Sequence, residues 1–170
     1  MVAPPPTRCT IRAMHYELYM SAALAEAAGA AARGERCDGA VGVLDDAMVA
    51  SAADQVRGSG DPTAHAVMVT IREAAQRMGT TSLEGMTIYA VVEPCAMCVG
   101  ALLESDVDGL VYAVPDPVAG AAGSALQLAS NGVLGRRLNV VSGILQDDAV
   151  EVLRTNGKQA AAPPAAAAGH

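Results

Sequence analysis

The sequence contains no Phe and no Trp, and its only aromatic side chains are Tyr16, Tyr19, Tyr89 and Tyr112. A chain of 170 residues is long enough for one continuous core, which here must be filled by Ala, Val, Leu, Ile and Met. Base stacking, which single-strand nucleic-acid binders draw from aromatic rings, has little to draw on. Cations are scarce too: 11 Lys plus Arg, one of them Lys, stand against 18 Asp plus Glu, for a net charge of −7. That balance, with no basic run, disfavours a nucleic acid such as tRNA as partner. No apolar run approaches the roughly 20 residues needed to span a bilayer. Residues Met1 to Thr10 lack the apolar stretch of a signal peptide. The expectation is a cytoplasmic protein with no membrane partner. The cysteines are few: Cys9, Cys37, Cys95 and Cys98. In a reducing compartment, a C-x-x-C pair points to metal binding or dithiol chemistry rather than to a structural staple.

What is present is an alternation of helical and strand patterns. Residues 1–13 are Pro-rich at the start and are expected to be disordered, and 156–170 form an Ala/Pro tail of low complexity. Between them, 14–155 reads as one domain. A first helix is expected over Met14 to Ala32, with Leu18, Ala22, Ala25 and Gly29 along its apolar face. Two strands, 39–44 and 48–53, flank a turn at Asp45-Asp46. Residues 55–60 read as a loop. Asp61 is a cap candidate and Pro62 a first helical residue for a helix ending at Gly79. Its stripe is Ala64, Val67, Met68, Ile71, Ala74, Ala75 and Met78. Met86 to Val92 is the clearest strand, and a helix from Glu93-Pro94 to Ser105 follows it. Leu110 to Val114 and Leu138 to Ser142 read as strands, Ala125 to Ala129 as a short helix, and Gln146 to Thr155 as a last helix. Strand–helix–strand units predict an α/β fold, a three-layer α/β/α sandwich around a five-stranded mixed sheet.

Two stretches carry the chemistry: DPTAHAV at 61–67 and EPCAMC at 93–98. Cys95 and Cys98 are three apart on one helix face, in a first turn whose unpaired N–H groups favour thiolate. His65 stands at another helix start. One imidazole and two thiolates, with a fourth position left for water, are the ligands of a catalytic zinc site. A lone C-x-x-C also suits dithiol exchange, and that redox alternative stays open at this point. His15, His170, Cys9 and Cys37 belong to no comparable pattern.

DPTAHAVMVTIR at 61–72 and EPCAMCVGALL at 93–103 resemble the cytidine deaminase superfamily, closest in pattern to its tRNA adenosine deaminase and guanine deaminase branches. The resemblance implies a dimeric α/β/α sandwich in which Zn²⁺ activates water to displace an amino group from a base. It implies His65, Cys95 and Cys98 as zinc ligands, and the backbones of Ala66 and Glu93 as contacts to the base edge. Three departures mark this chain. Val67 stands where the family has its proton-shuttling Glu, although it also continues the apolar stripe of its helix. Asp54 falls where these branches place a substrate-holding Asn, and Asp38 where the pocket strand is usually apolar. Either carboxylate is a candidate substitute for the missing Glu, and each can also be an ordinary solvated turn or edge residue. Last, Val152-Leu153-Arg154-Thr155 has no aromatic ring and no basic cluster where the tRNA-editing members have the aromatic and basic residues that grip RNA. A nucleobase, nucleoside or related aminated heterocycle is therefore the expected substrate. A catalytically inactive, zinc-bound binding or assembly module is the alternative. Asp116, in the 115–124 loop, is a further candidate substrate contact, or part of a rigid turn.

Overall fold

A computed structural model describes residues 8–130 and 135–160. Five strands form one mixed sheet in the order β2-β1-β3-β4-β5, with β1 at Gly39–Leu44, β2 at Ala47–Ala53, β3 at Thr87–Val92, β4 at Gly109–Val114 and β5 at Asn139–Ser142. β1 pairs antiparallel with both β2 and β3, whereas β3, β4 and β5 run parallel. The β1–β2 hairpin turns through Asp45 and Asp46, both with positive φ (49° and 59°). Asp tolerates that conformation better than most residues, which is why the chain can reverse in two residues.

Side chains alternate strictly across the sheet. Ile88, Ala90, Leu110 and Tyr112 face one core, while Tyr89, Val91, Val111 and Ala113 face another. Helices α3 (Ala66–Met78) and α4 (Ala96–Glu104) cover the first face; α1 (Arg8–Ala32) and α5 (Gln146–Ala160) cover the second. The three-layer α/β/α sandwich expected from the sequence is the observed architecture. α1 meets the sheet so closely that a Cβ at Gly39 would stand 2.3 Å from the Ala23 carbonyl oxygen. Glycine is therefore the residue that lets helix and strand approach.

Several local expectations are corrected. α1 buries Met20, Ala23, Leu24, Ala27, Ala30 and Ala31, not the Leu18 face; Leu18 is 63% exposed. In an Ala-rich helix the apolar stripe has little contrast, and Tyr19 and Met20 turn it toward the sheet. The 55–60 segment contains a one-turn helix, α2 (Val56–Ser59). Ala125 to Ala129 is not helical; Ala122 and Gln127 form an isolated bridge there, and Leu128 N–H donates to Ala121 O at 3.0 Å. α3 and α4 begin at Ala66 and Ala96, later than Pro62 and Pro94 suggest. The Asp61 carboxylate is already engaged by the Thr63 N–H (2.8 Å) and hydroxyl (2.7 Å), closing a tight turn ahead of the helix instead of capping it. α1 also starts ahead of Met14, and α5 runs beyond Thr155. The N-terminal and C-terminal segments expected to be disordered lie, at 1–7 and 161–170, outside the described residues.

Candidate metal centre and adjoining cavity

His65 and Cys95 are the residues immediately before α3 and α4, both with extended backbone (φ −64°, ψ 150° and φ −71°, ψ 174°). Only Cys98 lies within a first helical turn, which corrects the expectation that all three do. The arrangement still has a clear cause. Each helix springs from the sheet next to the other, and its cap position faces the gap between them. Nδ1 of His65 is 3.7 Å from Sγ of Cys95 and 3.7 Å from Sγ of Cys98. The three ligand atoms lie within 4.8 Å of one another. A tetrahedral zinc with bonds of about 2.3 Å to sulfur and 2.0–2.1 Å to nitrogen requires S···N spacings of about 3.6 Å. The donor set and its spacing fit zinc.

The thiols are poised unequally. Cys95 is brought down to about 4, chiefly by the S–H of Cys98 donating to it, then by the Cys98 N–H, the nearby His65 and the Met97 N–H. Cys98 is pushed up, by that same hydrogen bond and by burial. At least one thiolate is therefore ready before metal arrives.

A cavity of about 280 Å³ opens beside these ligands, bounded by Arg36, Asp38, Val67, Val92, Pro94, Asp116, Ala119 and Leu153 among others. Val67 is 2% exposed and belongs to the α3 core stripe as well as to this wall. Asp38 reaches the cavity. Its Oδ1 accepts the N–H groups of Gly39 (3.0 Å) and Val92 (3.3 Å), and Oδ2 faces Arg36 Nη2 at 3.6 Å. Burial raises its pKa from the ordinary 3.8 to about 6, against the opposing pull of Arg36 and of the two N–H groups. Asp54 is equally buried but does not line the cavity; it sits behind Arg36, with Nε 3.5 Å from its Oδ2. Burial raises its pKa, with Arg36 pulling the other way.

Ala66 is fully buried at the start of α3. The Glu93 side chain turns away from a ligand role. Its carboxylate accepts the N–H groups of Asp116, Ala122 and Ser124 at 3.0 Å each, and the Ser124 hydroxyl as well. It thereby fixes the 115–124 loop against α4. Asp116, at the cavity, accepts the Val118 and Ala119 N–H groups in a tight turn. Arg36, Cys37, Ala119 and Leu153 line the cavity without having been site candidates in the sequence. Arg36 had a local signal, lying two residues from Asp38; Leu153 had none, since it arrives from α5.

The sequence model of the cytidine and deoxycytidylate deaminase zinc-binding region matches residues 14–114, more than half of the chain. The chain belongs to this family. It is 38% identical over 132 residues to the tRNA-specific adenosine deaminase of Bacillus subtilis, covering 78% of this chain and 82% of that one. To the tRNA-specific adenosine deaminase of Agrobacterium fabrum it is 35% identical over 136 residues, covering 80% and 90%. A solved structure from a study of A-to-I editing by tRNA:A34 deaminases superposes with a TM-score of 0.78 at 34% identity, over 80% of this chain and 99% of that chain. The guanine deaminase of Nitrosomonas europaea shares the fold, with a TM-score of 0.73 at 20% identity over 93% and 97%. Among the described residues, no helix of this deaminase-family chain is long and apolar enough to cross a membrane.

Proposed function

We propose that this deaminase-family chain binds zinc through His65, Cys95 and Cys98 and holds an aminated heterocycle, a nucleobase or nucleoside, in the adjoining cavity for hydrolytic removal of its amino group. The observation that carries the reading is the cavity itself: a small, mainly apolar chamber opening on the three metal ligands. Zinc, when bound, supplies the acidification of water toward neutral pH. The chain's own groups do the rest. Val67, Val92, Pro94 and Leu153 form apolar walls for a ring, and the family resemblance assigns the backbones of Ala66 and Glu93 to its edge.

The proton is the weak point. Val67 occupies the place of the family Glu and can neither take nor give one, and a positioned acid–base group typically contributes 10²–10⁴-fold. Of the two candidate substitutes, Asp38 borders the cavity and Asp54 does not, which supports Asp38 as the group that carries a proton in Glu's stead. Ammonia release from a panel of bases and nucleosides by the zinc-loaded protein, as it stands and with Val67→Glu, tests the reading. Zinc binding without release from either would favour the inactive binding module.

A second reading is favoured by the relatives: an adenosine in tRNA is what the Bacillus subtilis protein's name assigns to it. Filter binding of tRNA at two salt concentrations tests it, because phosphate contacts give a steep salt slope. We also propose a cytoplasmic homodimer, the dimer being what the family resemblance implies. Sedimentation of the zinc-loaded protein tests the dimer.

A further inference from the structure

The charges around the cavity deepen that reading, and their meaning rests on the cavity being the ligand site. Among the described residues that line it, Arg36 is the one Lys or Arg, and its side chain is 59% exposed. A half-exposed guanidinium at the edge of such a cavity is what a phosphate would ordinarily seek. Here it is taken. Nη2 faces Asp38 Oδ2 at 3.6 Å and Nε faces Asp54 Oδ2 at 3.5 Å. Asp54 is 1% exposed, and its Oδ2 accepts no hydrogen bond from any described group. The Val56 N–H on Oδ1, at 3.3 Å, and the nearby His65 help, but Arg36 is the main group that balances its charge. One guanidinium thus serves two buried carboxylates, and with both ionised the trio carries a net negative charge.

The neighbours do not reverse that sign. Glu35 stands beyond Asp54 with its carboxylate on the Arg57 and Gly58 N–H groups, and Arg57 Nη1 donates to the Gly34 carbonyl. Arg33 lines a separate cavity with Glu35 and Asp54. At the cavity, Asp116 adds a further carboxylate, while that of Glu93 is held by the 115–124 loop. A metal with two thiolates contributes no net positive charge. An incoming phosphate would have to draw Arg36 off a carboxylate that has little else to hold it, and like charges brought together in a desolvated site are strongly penalised.

We propose that the Asp38–Arg36–Asp54 trio is a charge filter that restricts this cavity to aminated heterocycles without a phosphate, free bases and nucleosides rather than nucleotides. Asp54 acts through Arg36 and is a positioning residue; Asp38 borders the ligand directly. The ligand edge such a wall favours is one rich in N–H donors, since an ionised carboxylate only accepts.

Calorimetric titration of the zinc-loaded protein with adenine, guanine, their nucleosides and the 5′-monophosphates tests the filter. The expected result is binding of bases or nucleosides, with the matching monophosphate weaker by at least about tenfold. Asp54→Asn, which keeps shape and removes one charge, should narrow that ratio severalfold. Arg36→Gln, which leaves both carboxylates uncompensated, should widen it, and added salt should narrow it in the unaltered protein. The opposite signs of the two variants separate a charge filter from a merely structural role, and Arg36→Gln with the salt series serves alone if Asp54→Asn does not fold. Monophosphates binding as tightly as nucleosides, or a ratio that neither variant nor salt moves, would overturn the filter while leaving the cavity as the ligand site. Absence of binding by every ligand in the panel would overturn both.

Discussion

Nδ1 of His65 and Sγ of Cys95 stand 3.7 Å apart although 30 residues separate them, and Cys98 closes the triangle at the same distance from the imidazole. Two independent helix starts are brought together because the β1–β2 hairpin, which leads to α3, pairs through β1 with β3, which leads to α4. The protein should therefore hold one zinc per chain when purified without chelator. His65→Ala or Cys95→Ser should each lower zinc content to near zero by elemental analysis. Chelation should expose two thiols to a thiol reagent. A metal-free protein whose Cys95 and Cys98 cycle between dithiol and disulfide would instead support the redox alternative.

Asp38 gives a pH prediction with a definite sign. Its pKa is raised on folding from 3.8 to about 6, so the folded state favours the protonated form. Its contribution is fully present below about pH 4 and is lost as pH rises through about 6. A rise of that size corresponds to roughly 3 kcal/mol. The unfolding free energy of the protein minus that of Asp38→Asn should fall by up to about this amount between pH 4 and pH 7. Taking the difference cancels the proton dependence of the metal site, and a flat difference would show that Asp38 is not buried as described.

The Glu93 clamp predicts a coupled loss of stability and cavity shape. Glu93→Gln replaces an acceptor oxygen by an NH₂ group facing donors, at an expected cost of about 2–3 kcal/mol. Gly120→Ala would place a Cβ 2.5 Å from both the Asp116 carbonyl oxygen and the Glu93 carboxyl carbon. Both variants should unfold at lower denaturant concentration and lose protection of the 115–124 amides in hydrogen exchange. A Glu93→Gln protein with unchanged stability would contradict the clamp.

Much of this architecture was legible in the sequence, for physical reasons that differ by element. Thr87 to Val92 carried a strong local signal, and the two strands around Asp45-Asp46, though short on β-branched residues, were marked by the turn between them, so the sheet was readable. The α3 stripe was readable because Val67, Ile71 and Ala74 recur at helical spacing. The metal ligands were readable because their spacing is chemical and not merely conformational. The Ala-rich α1 was readable as a helix but not in rotation, since Ala22 and Ala23 look alike to any periodicity. The helix starts were misplaced because Asp61-Pro62 can close a turn as well as cap a helix, and the choice depends on where Thr63 points. Glu93 and Leu153 were opaque: one role requires the 115–124 loop to fold back, the other requires α5 to dock across α1. Such contacts come from tertiary packing and leave no trace at short range.

The most direct measurement is ammonia release by the zinc-loaded protein with Val67 in place and with Val67→Glu, across bases and nucleosides. The Glu variant is expected to release ammonia 10²–10⁴-fold faster than the protein as it stands on at least one phosphate-free substrate. The slow residual rate of the unaltered protein should disappear with Asp38→Asn. A Val67→Glu protein that binds zinc and the heterocycle yet releases no ammonia would contradict deamination in this cavity. Equally fast turnover with Val67 or Glu would contradict the role given to that position.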